Sequence, residues 1–250
     1  MGPLSGMYGG NRLMEIPPDD QVVTLADDVY RYSWVVLAEG QQHAIQTAGS
    51  WTVYVLRQEP GGIVESGREQ LRLGDTLQVE GATATLQGRH GTSVVLISGV
   101  TGHGGQSPGI EAHRAASHYR VSKPWGHELW LNGEHSRYVL KEVFIRAGNR
   151  TSLQYHRFKR ETNLLTLGEG RLVYRASGDG APDTTAVHEL GSVAMHPICV
   201  VDVTPQVLHR IEALTDVYLY ETSTPHLDDV IRVQDDARRG DGRIAAEHVR

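Results

Sequence analysis

Three side chains that can bind a metal ion lie close together within residues 147–170, namely Gln154, His156 and Glu161. Residues two apart on a β-strand point to the same face of a sheet, so Gln154 and His156 are expected to project together into a barrel interior. The four residues between His156 and Glu161 suffice for a tight turn into the next strand. The expected fourth ligand is His209, which follows a turn-forming proline and precedes an apolar strand.

This ligand set consists of two imidazole nitrogens, one carboxylate and one amide oxygen. Such a set suits zinc, iron(II), manganese, cobalt or nickel and leaves coordination positions open for water or a substrate. The pattern therefore predicts one divalent metal ion in a site that can do chemistry. A structural role is the alternative, in which Gln154 and His156 are polar fillers of a barrel that hydrogen-bond to each other.

The elements that must position these ligands are predicted to be β-strands. Short Val-, Leu- and Tyr-rich runs alternate with turns in a chain of 250 residues with 28 glycines and 10 prolines. Residues 20–100 and 119–230 each contain enough runs for a small barrel or jelly roll. Residues 1–19 are expected to form an N-terminal arm, residues 101–118 a linker and residues 231–250 a C-terminal tail.

The two β-rich segments can be aligned as a tandem repeat, in which LRLGDTLQV at 71–79 corresponds to HELGSVAMH at 188–196. This alignment places Thr85 near the position of His209, and the first segment has no ligand set comparable to that of the second. The sequence therefore predicts an all-β chain of two tandem barrels, of which the first is degenerate. Chance similarity between β-rich segments is the alternative.

Composition argues against several classes of partner and site. The net charge is −6, and no basic stripe with interleaved aromatic residues occurs, so neither nucleic acid nor an anionic membrane surface is an expected partner. The first residues lack the pattern of a secretory signal, and we expect a cytoplasmic protein. Cys199 is the one cysteine, which excludes an internal disulfide and a thiolate metal cluster; its apolar setting predicts an inert core residue.

The ligand stretch and its flanks resemble the cupin superfamily. Gly148 and Gly168 flank a Gln-x-His-x4-Glu pattern similar to the first cupin motif, and His209 after Pro205 resembles the second. Residues 122–239 look like the cupin domain of type II phosphomannose isomerases and related sugar-phosphate cupins, through the segments KPWGHELW, YVLKEVFIRAG and SLQYHRFKRE. The resemblance implies a bicupin of two jelly-roll barrels with zinc as the metal. It also implies a homodimer paired through edge strands, unless the two barrels satisfy those edges internally.

The sequence departs from that family at positions next to the ligands. Phe158 and Thr162 stand where the family has histidines, and Lys159 stands where it has an arginine. The resemblance therefore implies the fold more directly than the activity.

The activity that the resemblance implies is isomerisation or epimerisation of a small carbohydrate, foremost a sugar phosphate. A base must then remove a proton next to a carbonyl while the metal stabilises the enediolate. Lys141 is the predicted proton carrier, because it alternates with apolar residues and so faces the interior, where burial favours loss of its charge. The alternative is a lysine that reaches the barrel rim or pairs with Glu161.

Contacts with an anionic substrate are expected from cationic groups at the barrel mouth. The predicted substrate-binding residues are Lys123, Trp125, Lys159, Arg160 and Arg210. Solvated surface charge is the alternative for the four cations, and core packing is the alternative for Trp125. Arg210 is the weakest of them, because the strand neighbour of an inward-facing ligand points outward.

Two other functions remain open on the same residues. An Fe(II)-dependent dioxygenase would use the same ligands, with open positions for oxygen and substrate. A non-catalytic sensor or scaffold would bind a sugar or a nucleotide sugar without turnover.

Overall fold

The computed structural model describes residues 5–8, 11–15, 22–26, 29–45, 49–102, 107–133, 135–175 and 190–248. In these ranges the chain is all-β, as predicted, with two short 3-10 helices at Ala115–Ser117 and Ala245–Glu247 and no α-helix. None of the described helices has the length and apolar character needed to span a membrane.

The strands of the first half are β1 (Ser5–Tyr8), β2 (Asn11–Glu15), β3 (Val22–Ala26), β4 (Arg31–Leu37), β5 (Gln42–Ile45), β6 (Gly49–Gln58), β7 (Ile63–Ser66), β8 (Glu69–Leu71), β9 (Thr76–Glu80), β10 (Ala84–Arg89), β11 (Ser93–Thr101) and β12 (Gly109–His113). Those of the second half are β13 (Tyr119–Lys123), β14 (Gly126–Trp130), β15 (Val139–Ile145), β16 (Leu153–Tyr155), β17 (Glu161–Leu167), β18 (Gly170–Arg175), β19 (Gly191–Met195), β20 (Cys199–Val203), β21 (Leu208–Ala213), β22 (Val217–Ser223) and β23 (Ile231–Gln234).

These strands divide between two compact units. The first barrel unit comprises Asp19–Tyr119 and Trp130–Leu140, and the second comprises Met1–Pro18, Arg120–Leu129 and Lys141–Arg250. Each unit therefore contains a segment from the other half of the sequence. The predicted domain boundaries do not include this exchange of segments.

The first barrel unit is a jelly roll of two sheets around an apolar core. Its six-stranded sheet has the order β12-β9-β6-β11-β4-β3, and its four-stranded sheet has the order β5-β10-β7-β8. Alternate residues of β6, namely Trp51, Val53 and Val55, lie in this core with Leu77 and Leu86. The period of two is what a strand with one face on a core requires.

The second barrel unit has the same strand order with additions at its edges. Its sheets run β1-β2-β20-β17-β22-β15-β14-β13 and β19-β18-β21-β16-β23. The predicted arm and the predicted tail thus each contribute strands, because β2 pairs with β20 and β23 pairs with β16. In the predicted linker, β12 likewise pairs with β9. Each addition provides hydrogen-bond partners for a strand that would otherwise be an open edge.

The turn between β17 and β18 requires a glycine. Gly168 has φ +87°, and a Cβ at this position would lie 2.0 Å from the carbonyl oxygen of Asp216. This close approach and the left-handed backbone exclude larger side chains. The turn thereby sets the start of β18, which runs beside β21 and its His209.

Candidate metal centre

Strand β21 places His209 on the inward face of its sheet. Ile211, two residues on, packs in the apolar core, whereas Leu208 packs on the opposite face. Gln154 and Tyr174 stand directly opposite His209 on the two neighbouring strands, and therefore share its face. The inward row across β16, β21 and β18 is thus Gln154, His209 and Tyr174.

His156, Glu161 and His209 form one buried cluster. One potential ligand atom of each residue lies within 4.8 Å of the others. The His156 Nε2 lies 3.1 Å from Glu161 Oε1, and the His209 Nε2 lies 3.6 Å from Glu161 Oε2. The two histidines therefore face the two oxygens of one carboxylate from the opposite sheet.

Backbone carbonyls determine which nitrogen of each histidine carries a proton. The His156 Nδ1 donates to the carbonyl oxygen of Asp229, and the His209 Nδ1 donates to that of Val207 over 2.9 Å. A carbonyl can only accept, so in a neutral imidazole the Nε2 keeps its lone pair. Among the described residues the His156 Nε2 has no hydrogen-bond partner despite its 3.1 Å approach to Glu161. Lone pairs that face a carboxylate are an arrangement suited to a cation.

The electrostatics favour this protonation state. Burial lowers the pKa of His156 and outweighs the opposing effect of the Glu161 carboxylate, so the imidazole is neutral at pH 7. Burial also opposes ionisation of Glu161, but the Lys159 ammonium outweighs it, and the pKa of Glu161 lies well below the ordinary value. The cluster therefore offers a neutral imidazole at His156 and a carboxylate at Glu161.

Gln154, the predicted fourth ligand, is held by its neighbour. Its Oε1 accepts a 2.6 Å hydrogen bond from the Ser152 hydroxyl, which fixes the amide beside His209. An amide oxygen has two lone pairs, so one is left for a metal ion. Three ligands from the described cluster and this amide are the residues that could hold a metal.

A chain of alternating charges continues from Glu161 across the barrel interior. The Lys159 Nζ contacts Glu161 Oε1 at 2.5 Å and Glu221 Oε1 at 2.8 Å. The Lys141 Nζ contacts Glu221 Oε2 at 3.1 Å and Glu128 Oε1 at 3.2 Å. We call these five residues the charge chain. Lys159 therefore does not lie at the barrel mouth as predicted; its side chain is buried against a candidate ligand.

The sequence predicts Lys141 as a proton carrier, acid or base, because burial favours loss of its charge. Burial lowers the pKa of Lys141, but the carboxylates of Glu128 and Glu221 outweigh it and raise the pKa above the ordinary value. Lys141 is therefore protonated, which favours the role of acid over that of base. The expected loss of charge did not include the two carboxylates.

Two of the other predicted substrate contacts lie in the interior of the second unit. The Lys123 ammonium is paired with Glu247 at 2.8 Å and Glu128 at 3.7 Å, so it is already neutralised. Trp125 packs in the apolar core with Val143, which corresponds to the core-packing alternative. Neither observation favours a contact with substrate.

The two arginines lie in different surroundings. Arg210 is buried on the outward side of its strand, where its Nη2 donates to Gln234 Oε1 at 3.0 Å. Its position agrees with the strand alternation that made it the weakest candidate. Arg160 is half-buried in the turn before Glu161, and its backbone N–H donates to the Thr224 hydroxyl. Of the predicted cations, Arg160 therefore stays a candidate for contact with a substrate.

The first barrel unit has apolar residues at the positions of the three clustered ligands of the second, whereas His43 stands at the position of Gln154. By sheet order, β5, β6 and β10 correspond to β16, β17 and β21. Leu86 on β10 stands opposite His43 on β5, as His209 on β21 stands opposite Gln154 on β16. The position of His209 is therefore that of Leu86, the buried neighbour of exposed Thr85, and the predicted repeat register agrees with this position to within one residue.

The other two ligand positions of the first unit are apolar as well. Trp51 pairs with Val79 on β9 and corresponds to Glu161, which pairs with Val203 on β20. Ile45, two residues after His43, corresponds to His156, and its side chain lies in the apolar core. The corresponding strands are β9 and β20, so the predicted alignment of 71–79 with 188–196 is displaced; residues 188–189 lie outside the described ranges.

Three residues near the cluster were not identified from the sequence. The Asp229 carboxylate accepts hydrogen bonds from the backbone N–H groups of residues 157–159, in the turn between two ligands. Ser223 stands directly opposite Glu161, is fully buried, and has no hydrogen-bond partner for its hydroxyl among the described residues. The third is Tyr174, opposite His209. Ser223 and Tyr174 could have been located only by combining the strand alternation of VYLYETS and RLVYR with the pairing of these strands.

Comparisons with known proteins agree with this architecture. No protein-family model matches the chain, and no curated protein matches it by sequence. The E. coli protein Ylba is 10% identical with a TM-score of 0.64, covering 90% of this chain and 95% of its own. An oxalate decarboxylase from Lactobacillus farciminis is 9% identical with a TM-score of 0.59, covering 89% of this chain and 84% of its own.

A salicylate 1,2-dioxygenase from Pseudaminobacter salicylatoxidans is 11% identical with a TM-score of 0.57, covering 82% of this chain and 76% of its own. All three neighbours have the cupin fold. At these identities the likeness concerns the fold alone. The chain therefore has the fold of a bicupin, with two tandem jelly-roll barrels.

Proposed function

We propose that the second barrel unit binds one divalent metal ion through His156, Glu161 and His209, with Gln154 as a fourth ligand, and catalyses a reaction of a small molecule. The observation that carries this proposal is the orientation of the two imidazoles. Both donate from Nδ1 to a backbone carbonyl, so both Nε2 lone pairs face the Glu161 carboxylate. A divalent ion bound there would supply a Lewis acid that polarises a substrate oxygen.

The first reaction to test is isomerisation or epimerisation of a sugar phosphate, which the sequence resemblance of residues 122–239 supports. Zinc is the metal that this resemblance favours. In such a reaction the Lys141 and Lys159 ammonium groups can stabilise negative charge that develops on the substrate. The base must be a group other than Lys141.

A second reaction, oxygen-dependent cleavage with iron(II), is favoured by the ligand chemistry itself. Two histidines and one carboxylate with open positions are the ligand set typical of non-haem iron oxygenases. This reaction also does not require the side-chain base that Lys141 cannot provide. A structural neighbour is a salicylate 1,2-dioxygenase, which is support from the fold only.

The metal site is tested by metal analysis of the purified chain and of two variants. We expect about one ion per chain in the wild type, and loss of most of it in His156→Ala and His209→Ala, because each variant removes a ligand. Full retention of metal by both variants would contradict the ligand assignment.

The reaction is tested on protein loaded separately with zinc and iron(II). Interconversion of mannose 6-phosphate and fructose 6-phosphate that a chelator abolishes would support the isomerase. Oxygen uptake by the iron(II) form in the presence of gentisate, the ligand of one dioxygenase neighbour, would support the second reaction. Binding of a sugar phosphate without turnover in either assay would instead support a sensor.

A further inference from the structure

The ammonium group of Lys159 lies where a bound metal ion would compete with it. Its Nζ is 2.5 Å from Glu161 Oε1, and the same oxygen lies 3.1 Å from the His156 Nε2. Lys159 is only 6% exposed, so water screens this contact little. A metal ion bound between this oxygen and His156 would share the oxygen with the ammonium and would be repelled by its positive charge.

A second carboxylate is available to the same ammonium group. The Lys159 Nζ also lies 2.8 Å from Glu221 Oε1, and Glu221 is not part of the three-residue cluster of candidate ligands. Lys159 can therefore give up Glu161 without becoming an unpaired buried charge, because Glu221 remains as its partner.

The ammonium groups of this interior already have carboxylate partners without a metal ion. Lys141 and Lys159 contact Glu128, Glu161 and Glu221, and Lys123 contacts Glu128 and Glu247. A divalent cation that enters must therefore overcome the repulsion of the Lys159 ammonium, which is the cation nearest to the cluster.

We propose that Lys159 is a built-in cation that competes with the metal ion for Glu161, and that Glu221 raises the metal affinity by holding the displaced ammonium. This inference rests on the proposed metal site. Under this proposal the ion pair of Lys159 and Glu221 controls the metal affinity. Lys159 contacts the candidate ligand Glu161, and neither member of the pair is itself a ligand.

The test is a calorimetric titration of the metal-free full chain with Zn²⁺ and with Mn²⁺. Lys159→Met should bind each ion about tenfold more tightly or better, because a buried positive charge next to the site is removed. Glu221→Gln should bind about tenfold more weakly, because the ammonium then stays on Glu161. Lys123→Met, which removes an equally buried ammonium that contacts no candidate ligand, should change the affinity by less than about twofold.

The double variant separates competition from simple attraction. If Glu221 acts through Lys159, the weakening caused by Glu221→Gln should fall to about twofold or less once Lys159 is methionine. An undiminished weakening would show that Glu221 attracts the metal directly and would overturn the inference. Lys159→Gln replaces Lys159→Met if the latter does not fold.

The same titrations distinguish the inference from the proposed function. Metal binding by the wild type with no tightening in Lys159→Met or Lys159→Gln overturns the inference and leaves the metal site standing. Absence of binding in the wild type and in every variant overturns both. Binding that appears only when Lys159 is replaced would support the competition directly.

Discussion

At the scale of single residues, the hydrogen bond that each candidate histidine makes through its Nδ1 determines what its Nε2 can bind. The carbonyl oxygens of Asp229 and Val207 hold the Nδ1 protons of His156 and His209. Each carbonyl therefore directs the Nε2 lone pair of its histidine into the barrel, as the hydrogen-bond partners of metal-binding histidines commonly do. The candidate ligands are predicted from the sequence, but these partners come from turns and a distant segment.

The lowered pKa of Glu128 also predicts that the folded state loses stability in acid. Burial raises the pKa of Glu128, but the ammonium groups of Lys141 and Lys123 outweigh it and lower the pKa to about 2. A lowered folded-state pKa contributes stability above the unfolded value, near pH 4.3, and this stability is lost as the pH falls toward 2. We expect the free energy of unfolding to drop by about 3 kcal/mol from this group between pH 5 and pH 2, measured by urea denaturation across that range.

The control for this prediction is Glu128→Gln. This variant should be less stable at pH 7, because Lys123 and Lys141 each lose a buried partner, and its stability should vary less with pH between 5 and 2. An acid dependence as steep as that of the wild type would show that other carboxylates are responsible.

At the scale of elements, the turn between β16 and β17 connects two of the three clustered ligands and depends on Asp229, which lies 70–72 residues away in sequence. Asp229 accepts from the N–H groups of residues 157, 158 and 159 at 3.0, 2.6 and 2.9 Å. Its carbonyl oxygen also accepts from His156. One residue of the segment after β22 therefore fixes both the turn and a ligand.

We expect Asp229→Asn to weaken metal binding by about tenfold or more, because an amide nitrogen cannot accept the N–H groups that the carboxylate oxygen accepts. Asp228→Asn is a matched control, since the Asp228 side chain is 79% exposed and pairs with Arg243 at 3.4 Å. Calorimetric titration with Zn²⁺ measures both variants. Equal affinities would mean that the turn holds its shape without the carboxylate.

At the scale of the whole molecule, the sequence predicts features that depend on neighbouring residues better than features that depend on distant ones. The period of two in the strands predicts the all-β fold, and the i, i+2 spacing of Gln154 and His156 predicts their shared face, because both depend only on neighbouring residues. The pairing of Lys159 with Glu221 joins positions 62 residues apart. The strands added by the predicted arm and tail likewise arise from pairing with distant edges, which periodicity does not encode.

The first barrel unit should contribute stability rather than metal binding, because apolar side chains fill the positions of the three clustered ligands of the second. Leu86, fully buried at the position of His209, is the direct test. Leu86→Ala should lower the free energy of unfolding by about 2–5 kcal/mol through the cavity that it leaves, whereas Thr85→Ala, at the exposed neighbouring position, should change it little. Both variants should still bind about one metal ion per chain, as measured on folded protein by metal analysis. If Leu86→Ala lost its metal while still folded, as we expect of His209→Ala, the site would depend on the first unit, and its assignment to residues of the second unit alone would be wrong.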